Sequence, residues 1–345
     1  MTAFARSWLL SPLHVAALAT GSKSFRDNPI IGSARLNERG LHVGRMQFAA
    51  RMADSRRRRL ASLVDAADAA AFARDGYIEK PNFLPDGVFR ALRDEVINRP
   101  APARDMAQGD TVTRRAAIDR RMLRDRPALR ALVESPEWLG LVRYVGASAL
   151  EPLNYVQTIF SHVRPGKPDP QTNLHADTFH STVKAWLFLT DVEPDGGPLT
   201  YVPGSHLLTR RRLAWERRAS IAASHHADYQ HSRGSPRITV AELRRLGYRE
   251  PHAFAVPANT LVVADTLGFH ARGFSARPTT RVEIWAYGRR NPFLPWLGFD
   301  PAALPLIKGN AVPLFWGASD LAVRLGIGRN PWQPAEGDPS EDAPS

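Results

Sequence analysis

Short apolar runs rich in β-branched and aromatic residues, each closed by Pro, Gly or Asp, dominate the second half of the chain. They fall at 156–163, 183–190, 199–202, 260–264 and 281–287. Runs of this length separated by turn residues predict strands, and their number and spacing predict a double-sheet barrel. The first half has a helical period instead. Leu41, Phe48 and Met52 fall on one face, Arg56-Arg57-Arg58-Arg59 follows, and an Ala-rich run leads to Phe72, so two helices are expected within 36–73. Gly76 stops a helix and a short strand begins at Tyr77. Pro85 followed by Phe89, Leu92 and Val96 predicts another helix, and 126–144 a further one. Residues 1–35 lack a sustained period and carry Gly21, Ser22, Asn28 and Pro29, which predicts an extended or partly ordered lead-in.

Three parts are expected: a basic N-terminal arm with helices (1–73), a main domain (74–318) and a C-terminal extension (319–345). A long basic insertion at 207–257, with a helical stretch at 240–246, interrupts the strands. The acidic tail 336–345 is expected to be disordered. No internal repeat is present.

Composition narrows the function classes. The 345 residues are 43% hydrophobic and 23% charged, and no apolar stretch approaches the ~20 residues of a membrane-spanning helix. With no cysteine, thiolate zinc sites, iron–sulfur clusters, disulfides and cysteine nucleophiles are excluded. The apolar segment 8–19 is interrupted by Pro12 and His14 and preceded only by Arg6, so it reads as a buried or surface-lying segment rather than a signal peptide. A cytoplasmic location is expected, at the inner face of the membrane if the arm binds lipid.

The net charge is +12, and residues 1–60 hold 11 Lys/Arg against 3 Asp/Glu, so most of the excess sits in the arm. Residues 36–60 are therefore a candidate peripheral membrane contact, against the plainer reading of a helix packed on the barrel with its arginines in water. Nucleic acid is the weaker partner, because no aromatic residue interrupts the arginine run. Arg210 and Arg211 in the insertion are candidate contacts for an anionic group of a substrate.

The chemistry centres on His175-Ala176-Asp177 and His270. Residues two apart in a strand project from the same face, so one imidazole and one carboxylate can bind a metal ion from a rigid edge. Two imidazoles and a carboxylate form the facial triad that suits non-haem Fe(II) and leaves positions open. Taken alone, His-x-Asp also reads as a hydrogen-bonded pair at a strand end. Arg281 opens a β-patterned run eleven residues after His270, where a guanidinium can hold a carboxylate in bidentate fashion. Gln157, on the preceding strand, offers an amide to the same pocket. His180 is expected as a pocket wall or surface residue, His206 as a turn residue bonded to backbone, and His225, His226, Asp228 and His231 as a solvated loop.

His175-x-Asp177, the turn Gly197-Pro198-Leu199 to Pro203-Gly204-Ser205-His206, His270 and Arg281 together resemble the phytanoyl-CoA dioxygenase-like family. The resemblance covers roughly 74–290. It implies a mainly β, double-stranded β-helix (jelly roll, cupin-like) core with flanking helices. It also implies an Fe(II)- and 2-oxoglutarate-dependent dioxygenase that hydroxylates a small or lipid-linked molecule and releases succinate and CO2. By this likeness His175, Asp177 and His270 are the iron ligands, Arg281 pairs with the distal carboxylate of 2-oxoglutarate, and Gln157, Thr172 and Lys184 are cosubstrate contacts. Asp177 stands where related halogenases carry a small residue, which favours hydroxylation. Lys184 and Trp186 replace small polar residues of the ectoine hydroxylase branch, so an ectoine substrate is not implied, and Trp186 becomes a candidate substrate contact. A non-catalytic jelly-roll binding protein and a nucleic-acid-directed oxygenase are the alternatives.

Overall fold

The computed structural model describes residues 12–298, 304, 307 and 309–336. Eleven strands run in chain order: β1 (Tyr77–Lys80), β2 (Ala103–Gln108), β3 (Thr111–Ala117), β4 (Leu153–Ser161), β5 (Val183–Phe188), β6 (Leu199–Tyr201), β7 (His252–Ala253), β8 (Leu261–Asp265), β9 (His270–Arg272), β10 (Thr279–Gly288) and β11 (Gln333–Pro334). The larger sheet has the order β1-β8-β5-β10-β4-β3-β2-β11, and the smaller one β7-β6-β9. Every pairing between them is antiparallel. His175 adds a single bridge to β9, extending the smaller sheet by one further edge. The two sheets close on each other as a double-stranded β-helix flanked by helices.

The period-2 alternation of the strands decides what each face packs. In β5, Ala185 and Leu187 point outward with Leu261, Val263, Ile284 and Ala286 onto a helical layer that includes Phe72, Leu92, Leu129, Trp138 and Leu141. Trp186 and Phe188 point inward and meet Leu199, Tyr201 and Phe254 of the smaller sheet, together with Val262 and Trp285. On β10 the same alternation brings Arg281, Glu283 and Trp285 to the inward face. All three are buried.

The five expected strands form within a few residues of their expected ends, and the helix Ala66–Asp75 stops at Gly76, whose φ of 87° favours glycine. Other expectations change. Residues 126–144 form two helices, Pro127–Val133 and Pro136–Val145, because Ser135 caps the second one and Pro136 opens it. The hairpin β2–β3 was not foreseen, since Arg104, Asp105, Arg114 and Arg115 mask its alternation. The lead-in is partly built in: Phe25 and Ile31 are buried, and the 25–26 backbone bonds to the Ser232 carbonyl. The tail from 337 onward lies outside the described residues.

The arm differs most from expectation. The helix Leu41–Arg59 does not bury Leu41, Phe48 and Met52 together. Its packed residues are His42, Arg45, Met46, Ala49, Ala53 and Arg56, and Phe48 is exposed. Nor do its arginines form a free basic patch. Arg56 is buried and donates to the carbonyls of Ala147, Pro292 and Leu294. Arg57 donates to Tyr144 and Val145, and Arg59 to Pro295. Three of the four guanidiniums thus hold neighbouring chain segments, Arg59 from an exposed position. Among the described residues no helix is long and apolar enough to cross one.

In the insertion, Arg210 and Arg211 are exposed at the start of the helix Arg210–Ala222, whereas Arg212 is fully buried. Arg212 pairs with Glu216 at 2.7 Å, donates to the carbonyls of Ser205 and Leu267, and lies 3.7 Å over the Phe269 ring. His42 contacts the other Glu216 oxygen at 3.1 Å. Burial alone would raise the Glu216 carboxyl, but Arg212 and His42 hold it down to about 2. A depressed carboxylate contributes stability that is complete above its unfolded value, 4.5, and is lost as pH falls toward 2. Glu216→Gln should cost about 3–5 kcal/mol in urea unfolding at pH 7 by leaving Arg212 buried and unpaired, and should flatten the loss of stability between pH 4.5 and 2. Parallel pH profiles for the two proteins would contradict this role.

Candidate metal centre and active site

His175 and His270 are placed by backbone. Each N–H donates to the other residue's carbonyl at 2.9 Å, so the two residues face one another in a hydrogen-bonded antiparallel pair, with ring centroids 4.6 Å apart. The His175 ring nitrogen Nδ1 lies 2.7 Å from the Asn173 carbonyl and that of His270 lies 3.0 Å from the Gly268 carbonyl. An Nδ1–H donor on each ring leaves both Nε2 atoms with free lone pairs. Asp177 is set by its own N–H, which donates to Thr266 at 2.9 Å. Its Oδ1 lies 3.7 Å from His175 Nε2 and 3.6 Å from His270 Nε2. These gaps are too long for hydrogen bonds, and the three ligand atoms all lie within 4.8 Å of one another. The Nε2 of His270 is buried without a partner among the described residues.

Charge suits this site to a cation. Burial pushes His175 well below the usual histidine range and keeps it neutral. Burial opposes ionisation of Asp177, yet Lys184, 2.7 Å from its Oδ2, together with the two imidazoles, holds it well below the usual carboxylate range.

Beneath the triad lies a pocket of about 200 Å³ whose lining includes Gln157, Lys184, Trp186, Arg272 and Arg281. Arg281 Nε donates to Glu283 at 3.0 Å and Nη1 to the Gly197 carbonyl at 2.7 Å. Nη2 is engaged by neither contact and is left to face a ligand. Gln157 bridges Arg115 and Glu283, accepting at 2.7 Å from the first and donating its amide to the second. Arg272 is the second guanidinium of the pocket, paired with the buried Asp169.

The structure therefore brings His175, Asp177, His270, Arg281, Gln157, Lys184 and Trp186 to one place. Thr172 does not line the pocket: its hydroxyl donates to the Asp169 carbonyl, and the neighbouring Gln171 faces inward. Arg210 and Arg211 stand on the exposed helix end, outside this pocket. His180 is buried with Nδ1 3.0 Å from the Ser181 carbonyl. The His206 ring packs on Phe72, and its Nδ1 has no partner among the described residues. The expected solvated loop is partly buried, because His231 stacks on His226 at 3.9 Å and accepts the Arg237 N–H. Sequence reasoning missed Arg115, Arg272 and Glu283. For Arg272 and Glu283 the signal was available, since each lies two residues beyond a chosen residue, His270 and Arg281, on a strand face already assigned.

Residues 72–242 match the family model described as Phytanoyl-CoA dioxygenase (PhyH). The chain belongs to the phytanoyl-CoA dioxygenase-like family. None of the curated proteins matches it. Among solved structures it is similar to the non-heme alpha ketoglutarate dependent carbocyclase SnoK from nogalamycin biosynthesis, at 21% identity over 66% of this chain and 84% of that one, with a TM-score of 0.42. It is also similar to the epimerase SnoN from the same biosynthesis, at 20% identity over 81% and 97%, with a TM-score of 0.43. HygX from Streptomyces hygroscopicus, with nickel and 2-oxoglutarate bound, shows 18% identity over 65% and 87%, with a TM-score of 0.44. These likenesses are distant, and the assignment to the phytanoyl-CoA dioxygenase-like family rests on the sequence match. Fe(II) and 2-oxoglutarate are the cofactors of this family, and the neutral His175 imidazole, the ionised Asp177 and the orphaned Nε2 of His270 fit such an ion.

The loop that carries His270 tolerates no side chain at Gly268. A Cβ there would lie 1.9 Å from the Tyr201 hydroxyl, which itself donates to the Asp265 carbonyl at 2.8 Å. Gly268→Ala should therefore displace the His270 backbone and weaken Fe(II) binding by roughly ten- to a hundredfold, the range for loss of a ligand-orienting partner. Equilibrium titration with Fe(II) under anaerobic conditions reads this out, and unchanged affinity would show that the loop has room to move.

Proposed function

We propose that the chain is an Fe(II)- and 2-oxoglutarate-dependent hydroxylase of a small organic molecule. The observation that supports this reading is the convergence of His175, Asp177 and His270 above a small pocket floored by Arg281. In this reading the two Nε2 atoms and the Asp177 carboxylate hold the iron. Once bound, iron with 2-oxoglutarate supplies oxidation of a C–H bond by O2, coupled to decarboxylation of the cosubstrate to succinate and CO2.

The remaining work falls to the chain's own residues. Arg281 offers Nη2 to the distal carboxylate of the cosubstrate, and Glu283, fully buried, fixes the guanidinium plane through Nε. Gln157 keeps that Glu in place from the neighbouring strand. Lys184 neutralises the outer oxygen of Asp177, and Trp186 closes the apolar side of the pocket. Asp177 in the third ligand position supports hydroxylation over halogenation. A non-catalytic binding role gains no support from a triad with a lone pair left unused.

The test is O2-dependent succinate formation from 2-oxoglutarate, which should disappear in His175→Ala and in His270→Ala. Arg281→Ala should raise KM for 2-oxoglutarate by roughly ten- to a hundredfold, as expected for a charged hydrogen bond worth about 1.5–3 kcal/mol, with a smaller effect on kcat. Succinate formation that persists in both histidine variants would refute the reading.

A further inference from the structure

Above the metal centre a second cavity of about 500 Å³ shares Asp177, Lys184, Arg115 and Trp285 with the deep pocket. Its volume is that of a drug-sized ligand site. One wall is aromatic: Tyr155, Trp285, Tyr287, Phe315, Trp316 and Trp332. Trp285 and Tyr287 form one flat surface, parallel at 5.9 Å, and Tyr155 is tilted by 50° to Trp285 and by 46° to Trp316. Tyr155 lies 5.5 Å from Trp285 and 6.2 Å from Trp316. Arg115 extends this surface, its guanidinium 3.9 Å over the Trp285 ring and 4.7 Å from that of Trp332.

The lining is also cationic. Lys23 comes from the lead-in and Arg289 from the segment after β10, and both line this cavity. The Lys23 ammonium donates to the Asp177 backbone carbonyl, and Arg289 donates to the Gly21 carbonyl. Among the described residues, Lys23, Arg115 and Arg289 have no carboxylate within 4.0 Å. The lining's one carboxylate, Asp177, is already engaged by Lys184 and belongs to the metal centre. The lead-in is itself held in position, because Arg45 donates to the carbonyls of Leu18, Thr20 and Ser22, and Asn291 to that of Ala19. Lys23 and Arg115 are half-buried and Arg289 stands exposed at the rim; half-buried cations without counter-ions are costly, and an anionic ligand relieves that cost.

We infer that the hydroxylase takes a flat aromatic or fused-ring substrate bearing one anionic group, a carboxylate or a phosphate. Its rings lie on the parallel Trp285 and Tyr287 rings and its anion lies between Lys23 and Arg289. This deepens the proposed function and rests on it for the word substrate, whereas the binding preference itself is a separate property of the cavity.

Quenching of tryptophan fluorescence in the full-length chain, with excess 2-oxoglutarate present to fill the deep pocket, compares 2-naphthoate and 2-naphthyl phosphate with the uncharged 2-naphthamide. At least one anion should bind tenfold or more tightly than the amide, and which of the two binds more tightly assigns the anion. In the double variant Lys23→Gln/Arg289→Gln the preference should fall below threefold, while Arg289→Lys, which keeps the charge, should retain most of it and so exclude simple misfolding. Equal binding of all three probes by the native chain, or a preference unchanged in the double variant, would overturn the inference. Absence of succinate formation in the native chain would instead count against the hydroxylase reading, since probe binding needs no turnover.

Discussion

The reciprocal backbone pair between His175 and His270 is the constraint on which the rest of the site depends. Two residues that exchange both N–H···O bonds in an antiparallel pair cannot move apart without opening the sheet edge, so the imidazoles are held by the fold and not by their own side-chain contacts. Each ring is then oriented by one carbonyl two residues before it in sequence, Asn173 for His175 and Gly268 for His270. The strand expected to carry His175 and Asp177 does not form: His175 makes only an isolated bridge, and Asp177 sits in a bend pinned by Thr266. A site preorganised in this way loses little on binding an ion, because its lone pairs already converge.

The same economy of support extends away from the metal centre. Arg212, buried against Glu216, grips the carbonyls that flank the His270 loop from the helix side. The insertion from which it comes also places 236–238 along His175, with Ala176 donating to the Pro236 carbonyl and Ile238 donating to that of Leu174. The insertion, read from sequence as a place where specificity resides, thus also acts as a brace for the metal ligands. The arm that looked like a membrane contact is likewise a set of guanidinium clamps on carbonyls at the C-terminal end of the helix Pro136–Val145 and of the segment around 292–295.

How much of this was legible in the sequence depends on the range of the interaction. Strand positions obey a period of two and could be read locally, as could Gly76 and the cap at Thr239, where Glu242 completes a capping box, whereas the His-x-Asp pair was found by its residue types and lies on a bridge and a bend rather than in a strand. Arg281 was legible from its spacing to His270. Gln157 and Glu283 could each be placed on a strand face, but Arg115 and the linkage of all three were not legible, because that row exists only once β3, β4 and β10 lie side by side in a register that sets these residues opposite one another. Lys23 and Arg289 are 266 positions apart in the chain and meet only where the lead-in folds over the end of β10. Charge runs misled for a related reason: a row of arginines looks the same in sequence whether it faces water, lipid or a set of unpaired carbonyls.

The central claim is that these three side chains form one ready-made iron site with a cosubstrate seat beneath it. Anaerobic addition of Fe(II) and 2-oxoglutarate, followed by visible absorption, tests it most directly. One iron per chain should bind and a metal-to-cosubstrate charge-transfer band should appear only when both are present. A titration that saturates without that band, or iron bound with no stoichiometric site, would contradict the account.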